Sequence, residues 1–139
     1  MAQTIQVPAG YRGTATGIIR SAGHLQRAKF ELKDSTGYIL ASSTLVGTGG
    51  DVVMKEQVNP NSMGWSLGPF PQSATMSILI ENQASAGQPF KASKVIEPIN
   101  VYKPADSLNR TQYLLTTVLS KDHNDNDWND ATINVFRLN

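Results

Sequence analysis

Hydrophobic and polar residues alternate along much of this chain. Apolar residues alternate with small or polar ones in "YRGTATGIIR" (residues 11–20), "LQRAKFELKD" (25–34) and "ATMSILIENQ" (74–83). β-Branched residues recur in "TGYILASSTLVG" (36–47) and "TQYLLTTVLS" (111–120). A period of two sends successive side chains to opposite faces of a strand. These segments are therefore predicted to be half-buried strands.

Turn-forming clusters separate the predicted strands: "DST", "GTGG", "NPNS", "GPFPQ", "ASAGQP" and "KPADS". Residues 47–68 form the least regular stretch, with "DVVMKEQV" as a short strand inside it. No window combines helical spacing of apolar residues with capping signals. We therefore predict one all-β domain over residues 1–139, an antiparallel β-sandwich of roughly eight to ten strands with little or no helix.

Composition narrows the classes of function. The chain has 139 residues, and a chain of this length can bury a single core. Twelve basic against eleven acidic residues give a net charge of +1, which indicates neither a nucleic-acid nor an anionic membrane partner. The absence of cysteine excludes disulfides and thiolate sites. "MAQTIQVPAGYRG" lacks signal-peptide features, so a soluble protein is expected, either cytoplasmic or exported without a recognisable signal, with no membrane insertion.

The segment "KDHNDNDWND" (residues 121–130) concentrates side-chain oxygen, with four aspartates and three asparagines. Asp125, Asp127 and Asn129 are spaced so that their side chains can converge, and Asp130 follows immediately. Calcium takes six to eight oxygen ligands, and a cation would relieve the repulsion between crowded carboxylates. The segment therefore predicts a calcium site, with an Asn/Asp-rich solvated turn as the simpler alternative.

Catalytic explanations have weaker support. Glycoside hydrolysis needs two carboxyl groups with different roles, and nothing in the segment separates the aspartates in that way. His24 and His123 lack the spacing of a zinc motif, and no GxSxG elbow occurs. An enzyme is therefore not predicted.

The C-terminal stretch "SKDHNDNDWNDATINVFRLN" resembles the signature of the bacterial calcium-dependent fucose/mannose-binding lectins (fucose-binding lectin II, LecB-like). The match centres on "DNDWND" and the strand after it. "VPAGYRGTATGIIRSAG" near the N-terminus is similar to the opening strand and loop of that family. The resemblance implies a β-sandwich in which two adjacent calcium ions bind vicinal sugar hydroxyls directly.

The resemblance also implies residue roles. Asp125, Asp127, Asn129 and Asp130 would be calcium ligands, with Asp127 and Asp130 bridging the two ions. Asp122 would accept a hydrogen bond from the sugar. The remaining implied site residues are Arg20, through its main-chain carbonyl, the loop Ser21, Ala22 and Gly23, which tunes sugar preference, and Asn139, whose carboxylate would complete the site of a partner chain in a dimer.

Two departures from the family pattern affect the number of ions. Lys121 stands where the family has a calcium-ligating glutamate, and the final strand ends one residue early. Four aspartates and one lysine give residues 121–130 a net charge of −3. Two calcium ions would leave +1, which a donated carboxylate would cancel, whereas one ion would leave −1. Both counts remain open.

Together these observations predict a calcium-dependent carbohydrate-binding lectin with one or two calcium ions. It is expected to recognise fucose- or mannose-type sugars, to lack enzymatic activity and to form a homodimer or higher homo-oligomer. The alternative is a structural or adhesion-type β-sandwich in which the acidic segment is a calcium-stabilised or metal-free turn without sugar binding.

Overall fold

The computed structural model describes residues 3–108, 112–121 and 130–139, and this part of the chain contains eleven strands and no helix, hence none that could cross a bilayer. The strands are β1 (Gln3–Val7), β2 (Arg12–Lys33), β3 (Ile39–Val53), β4 (Lys55–Glu56), β5 (Trp65–Leu67), β6 (Ala74–Gln83), β7 (Lys91–Ala92), β8 (Lys94–Val95), β9 (Ile99–Lys103), β10 (Tyr113–Lys121) and β11 (Thr132–Leu138). Every pairing is antiparallel among these strands. The predicted all-β class is confirmed, and the count exceeds the expected eight to ten because β4, β7 and β8 have two residues each.

Strand β2 organises the sheet, because its two halves pair with different strands. From Arg12 to Ile18 it pairs with β11, and from Leu25 to Lys33 it pairs with β6. The sequence predicts two strands here with a loop between them, whereas the structure has one strand of 22 residues. The intervening Ser21–Gly23 contain neither proline nor a turn-forming pair, so the chain continues in the same direction instead of reversing.

The core is built from the inward faces of the longer strands. Alternate residues of β6 are buried, as its sequence pattern predicts. β11 follows the same rule, with Ile133 and Val135 buried on one face. Arg137 is the next residue on that face, and it is also buried. The largest fully buried apolar side chains are Phe30, Ile19, Leu32, Leu45, Met54, Met76, Ile78, Ile80 and Ile133.

Candidate functional site

The acidic segment connects the end of β10 to the start of β11. Its two flanks pair with each other, because the Asp130 amide donates to the Ser120 carbonyl at 3.2 Å and the Ser120 amide donates to the Ala131 carbonyl at 3.1 Å. The Ser120 hydroxyl also donates to the Ala131 carbonyl at 2.9 Å. All of these flanking residues are buried. The chain therefore enters and leaves the acidic segment at fixed and adjacent points.

Three of the predicted calcium ligands, Asp125, Asp127 and Asn129, lie outside the described residues. The predicted sugar acceptor Asp122 also lies outside them. Asp130 is described, and only 7% of its surface is exposed. A carboxylate shielded from water interacts more strongly with a cation than an exposed one, so the position of Asp130 fits a hard-cation ligand. Among the described residues no cluster of three or more His, Asp or Glu side chains could hold a metal.

Lys121 lies at the other flank of the segment and is 8% exposed. It is the last residue of β10, and its direct partner across the sheet is Lys94 of β8. Two basic residues therefore stand opposite each other where the chain enters the acidic segment. The position of Lys94 is not predictable from the motif, because β8 lies more than twenty residues earlier in the chain.

Strand β2 brings Arg20 to the same end of the sheet. The last pair between β11 and β2 joins Thr132 to Ile18. Asp130 lies two residues before Thr132 and Arg20 lies two residues after Ile18, so in an antiparallel pair both extend past the same end. The structure thus places Arg20 and Asp130, two of the predicted site residues, at the same end of the sheet.

The side chain of Arg20 forms an ion pair with Asp51 on the neighbouring strand β3. Both side chains are largely exposed. Asp51 adopts a positive φ of 53°, a conformation that aspartate tolerates better than most residues. Asp51 is not predicted from the sequence, where its local signal is the preceding "GTGG". This carboxylate adds a further charged group next to the predicted site.

Ser21, Ala22 and Gly23 lie within β2 and lead into a bulge. Ala22 pairs with Gly49 of β3. The next pair joins Gln26 to Gly47, so β2 has three residues between the two pairs where β3 has one. Bulges redirect side chains and occur often beside functional sites. The predicted tuning loop is therefore a bulged strand rather than a separate loop, with Ser21 and Gly23 exposed and Ala22 buried.

Buried polar side chains hold the bulge in place. His24 Nδ1 donates to Asn82 Oδ1 at 3.1 Å, and Asn82 Nδ2 donates to Ser93 Oγ at 3.0 Å. Gln26 is fully buried, and its Nε2 donates to the carbonyl of His24 at 3.2 Å. His24 therefore has a structural role in this arrangement. These bonds fix the backbone directly after Gly23.

Asn139 lies at the opposite end of β11. Its amide donates to the Gln112 carbonyl at 3.0 Å. Nine residue steps separate it from Asp130, which in extended conformation corresponds to about 30 Å. Asn139 therefore lies far from Asp130, the described end of the acidic segment in its own chain. A contribution from Asn139 to this kind of site requires a second copy of the chain.

No protein-family model and no curated protein matches this chain. Solved structures do match. The C-terminal domain of the BC2L-C lectin from Burkholderia cenocepacia is similar with a TM-score of 0.53 and 17% identity, covering 98% of this chain and 97% of that one. The high-affinity mannose-binding lectin of Ralstonia solanacearum is similar with a TM-score of 0.54 and 17% identity, covering 96% and 93%.

The Chromobacterium violaceum lectin CV2L, solved in complex with α-methyl-fucoside, is similar with a TM-score of 0.55 and 18% identity, over 96% of this chain and 93% of that one. These similarities extend over nearly the whole length of all the chains. The resemblance predicted from both ends of the sequence is thereby confirmed at the level of the fold. This chain has the fold of the bacterial fucose- and mannose-binding lectins.

Proposed function

We propose that this protein is a lectin that binds fucose- or mannose-type sugars through calcium held by its C-terminal acidic segment. The observation that carries the proposal is the position of that segment. It begins and ends on buried, hydrogen-bonded flanks, next to Arg20 and the β2 bulge. An oxygen-rich segment at this place in a lectin fold has both the ligand chemistry and the anchoring that a calcium site needs.

Each residue of the site has a proposed role. Asp125, Asp127, Asn129 and Asp130 hold calcium, and by the family resemblance Asp127 and Asp130 bridge the ions where two are bound. The main-chain carbonyl of Arg20 is a further ligand. Bound calcium would offer open coordination positions to two neighbouring sugar hydroxyls.

The residues around the ions set sugar preference. Asp122 accepts a hydrogen bond from a sugar hydroxyl. Ser21, Ala22 and Gly23 form the rim of the site, and their backbone direction is fixed by the bonds beneath the bulge. Hydrogen bonds to a charged acceptor discriminate strongly between hydroxyl stereoisomers, because a misplaced hydroxyl leaves the acceptor unsatisfied.

A second copy of the chain completes the site in this proposal. Asn139 lies about 30 Å along the strand from Asp130, so its carboxylate can act only in the site of a partner. A homodimer is the smallest assembly that satisfies this requirement. Two sites in one assembly also give avidity for multivalent glycans.

The test combines a calcium titration with a sugar-binding assay. Calorimetry should detect calcium binding to the full chain, and calcium should raise the melting temperature. Binding to fucose- or mannose-coated surfaces should appear in calcium and disappear in EDTA. Calcium binding without sugar binding would indicate the structural role instead, and the absence of both would overturn the proposal.

A further inference from the structure

Arg137 occupies an unusual position for a charged residue. It continues the inward face of β11 after Ile133 and Val135, and only 4% of its surface is exposed. Arginine is almost never buried to this degree without a partner of opposite charge. No such partner exists among the described residues, since no carboxylate there forms an ion pair with Arg137.

The guanidinium is held by neutral groups only. One terminal nitrogen donates to the main-chain carbonyl of Gln6 at 2.6 Å. The other donates to the hydroxyl of Thr116, which in turn donates to Asn100 Oδ1 at 2.8 Å. The buried Nε has no hydrogen-bond partner. Loss of hydration through burial lowers the pKa of Arg137 below its ordinary value, and no charged group counteracts this effect.

Arg137 and Thr116 are the buried part of a cleft of about 430 Å³. More exposed polar side chains surround its opening: Gln3 and Gln6 from β1, Glu97 from the segment before β9, and Asn100 from β9 itself. This volume falls within the range of small-molecule sites, which is roughly 300 to 1,000 Å³. Arg137 lies seven residues after Asp130 along β11, and among the described residues the lining of the cleft includes neither Asp130 nor any residue of the β2 bulge.

The charges and polar groups of this cleft define a ligand class. A buried guanidinium without a counter-charge favours a carboxylate, with which it can form charge-assisted hydrogen bonds. Amide and hydroxyl groups around the opening can donate to and accept from hydroxyl groups. The exposed carboxylate of Glu97 opposes a ligand that is negative throughout, but it can accept a bond from a ligand hydroxyl.

We propose that this cleft binds a sugar acid of the uronic type, with its single carboxylate directed toward Arg137 and its hydroxyls toward Asn100, Glu97 and the glutamines of β1. The site is independent of calcium and of the proposed lectin site. The chain would then recognise acidic as well as neutral residues of a glycan.

The test is a calorimetric and NMR titration of the full chain in EDTA, with D-glucuronate, D-galacturonate, D-glucose and acetate as probes. The uronates should bind at least about tenfold more tightly than glucose and than acetate, because only they provide both recognised groups. Shifted amide signals should lie in β1, β9 and the end of β11. Equal affinity for glucuronate and glucose, or for glucuronate and acetate, would overturn the proposal.

Two variants make the test specific. Arg137→Met should remove the preference for the acid, whereas the matched control Arg12→Met, an exposed arginine on β2, should leave it unchanged. If Arg137→Met does not fold, the exposed position Glu97 serves instead: glutamine keeps an acceptor oxygen for the ligand hydroxyl but removes a like charge, so Glu97→Gln should tighten uronate binding about threefold. No response to Glu97→Gln, or shifts confined to the calcium site, would contradict the assignment whatever the outcome for the lectin site.

Discussion

Lys121 and Lys94 lie directly opposite each other where β10 pairs with β8, at the point where the chain enters its acidic segment. Like charges at directly opposed positions of a sheet disfavour the pairing. They also raise the local potential beside the proposed calcium ligands. The two lysines therefore disfavour a cation at this flank, whereas the aspartates that follow favour one.

Replacement of Lys121 by glutamine should strengthen calcium binding. Removal of one positive charge at the flank of the proposed divalent-cation site is worth about 1 kcal/mol, or roughly fivefold in affinity. Calorimetric calcium titration at low salt measures the change, and added salt should reduce it. Lys33→Gln, at an exposed site on β2, is the control. An unchanged or weaker affinity in Lys121→Gln would show that this lysine does not compete with the ion.

Asp130→Asn should weaken calcium binding while preserving the shape of the side chain. Asp130 is buried, and its main-chain amide donates a hydrogen bond to the Ser120 carbonyl that does not depend on the side chain. We expect calcium affinity to fall by about tenfold or more, corresponding to about 1.4 kcal/mol. The readout is the calcium-induced rise in melting temperature, with Glu31→Gln on the half-exposed part of β2 as control. If both variants keep the full calcium effect, Asp130 is not a ligand.

Strands are predicted best from the sequence where one face of the strand is buried in the core and the other is not, because this produces alternating apolar and polar residues. The pattern predicts a strand at residues 74–83, and β6 is observed as Ala74–Gln83, because every second side chain enters the core. β1 and β9 are not predicted, since both are short and all residues of β9 are exposed. A fully exposed strand such as β9 has no alternation of apolar and polar residues, because none of its side chains packs in the core. It forms because its backbone pairs with β10.

The site is predictable from sequence only where it is contiguous. Asp130 and the acidic segment follow from a local motif, whereas Asp51 and Lys94 reach this end of the sheet through pairings with β2 and β10. Such pairings are set by register over distances that a motif does not encode. Arg137 is an intermediate case. Its position in phase with Ile133 and Val135 is visible in the sequence and indicates an inward-facing charge.

The turn after β2 should show a pH dependence due to Asp34. Its carboxylate accepts bonds from the hydroxyl and amide of Thr36 and from the amide of Tyr38. The hydroxyl bond is the largest cause of a pKa below the ordinary 3.8; desolvation is the next contribution and opposes it, and the backbone bonds lower the pKa further. A pKa lowered by folding means that the stabilisation is complete above the unfolded value and is lost as the pH falls through the folded value.

Thr36→Val should therefore raise the pKa of Asp34 toward its ordinary value, as NMR titration of the Asp34 carboxyl would show. Ser35→Ala, at the exposed neighbouring position that forms no bond to Asp34, is the matched control. The contribution of this turn to stability should be complete at neutral pH, and it should be lost as the pH falls below the ordinary 3.8 and through the lowered pKa of Asp34. An unchanged titration in Thr36→Val would mean that the backbone bonds alone lower the pKa.

Gly13 should be the most sensitive glycine of β2. A Cβ at this position would overlap the main-chain carbonyl oxygen of Phe136 on the paired strand β11, and backbone cannot move aside as a flexible side chain can. We expect Gly13→Ala to lower the free energy of unfolding by about 1–3 kcal/mol, the usual cost of overpacking. Gly23→Ala is the matched control within the same strand, because no heavy atom lies within 4 Å of the added Cβ. Denaturant unfolding should place it within about 0.5 kcal/mol of the parent chain. Equal stability of the two variants would mean that β2 and β11 do not approach each other as closely at Gly13 as the structure describes.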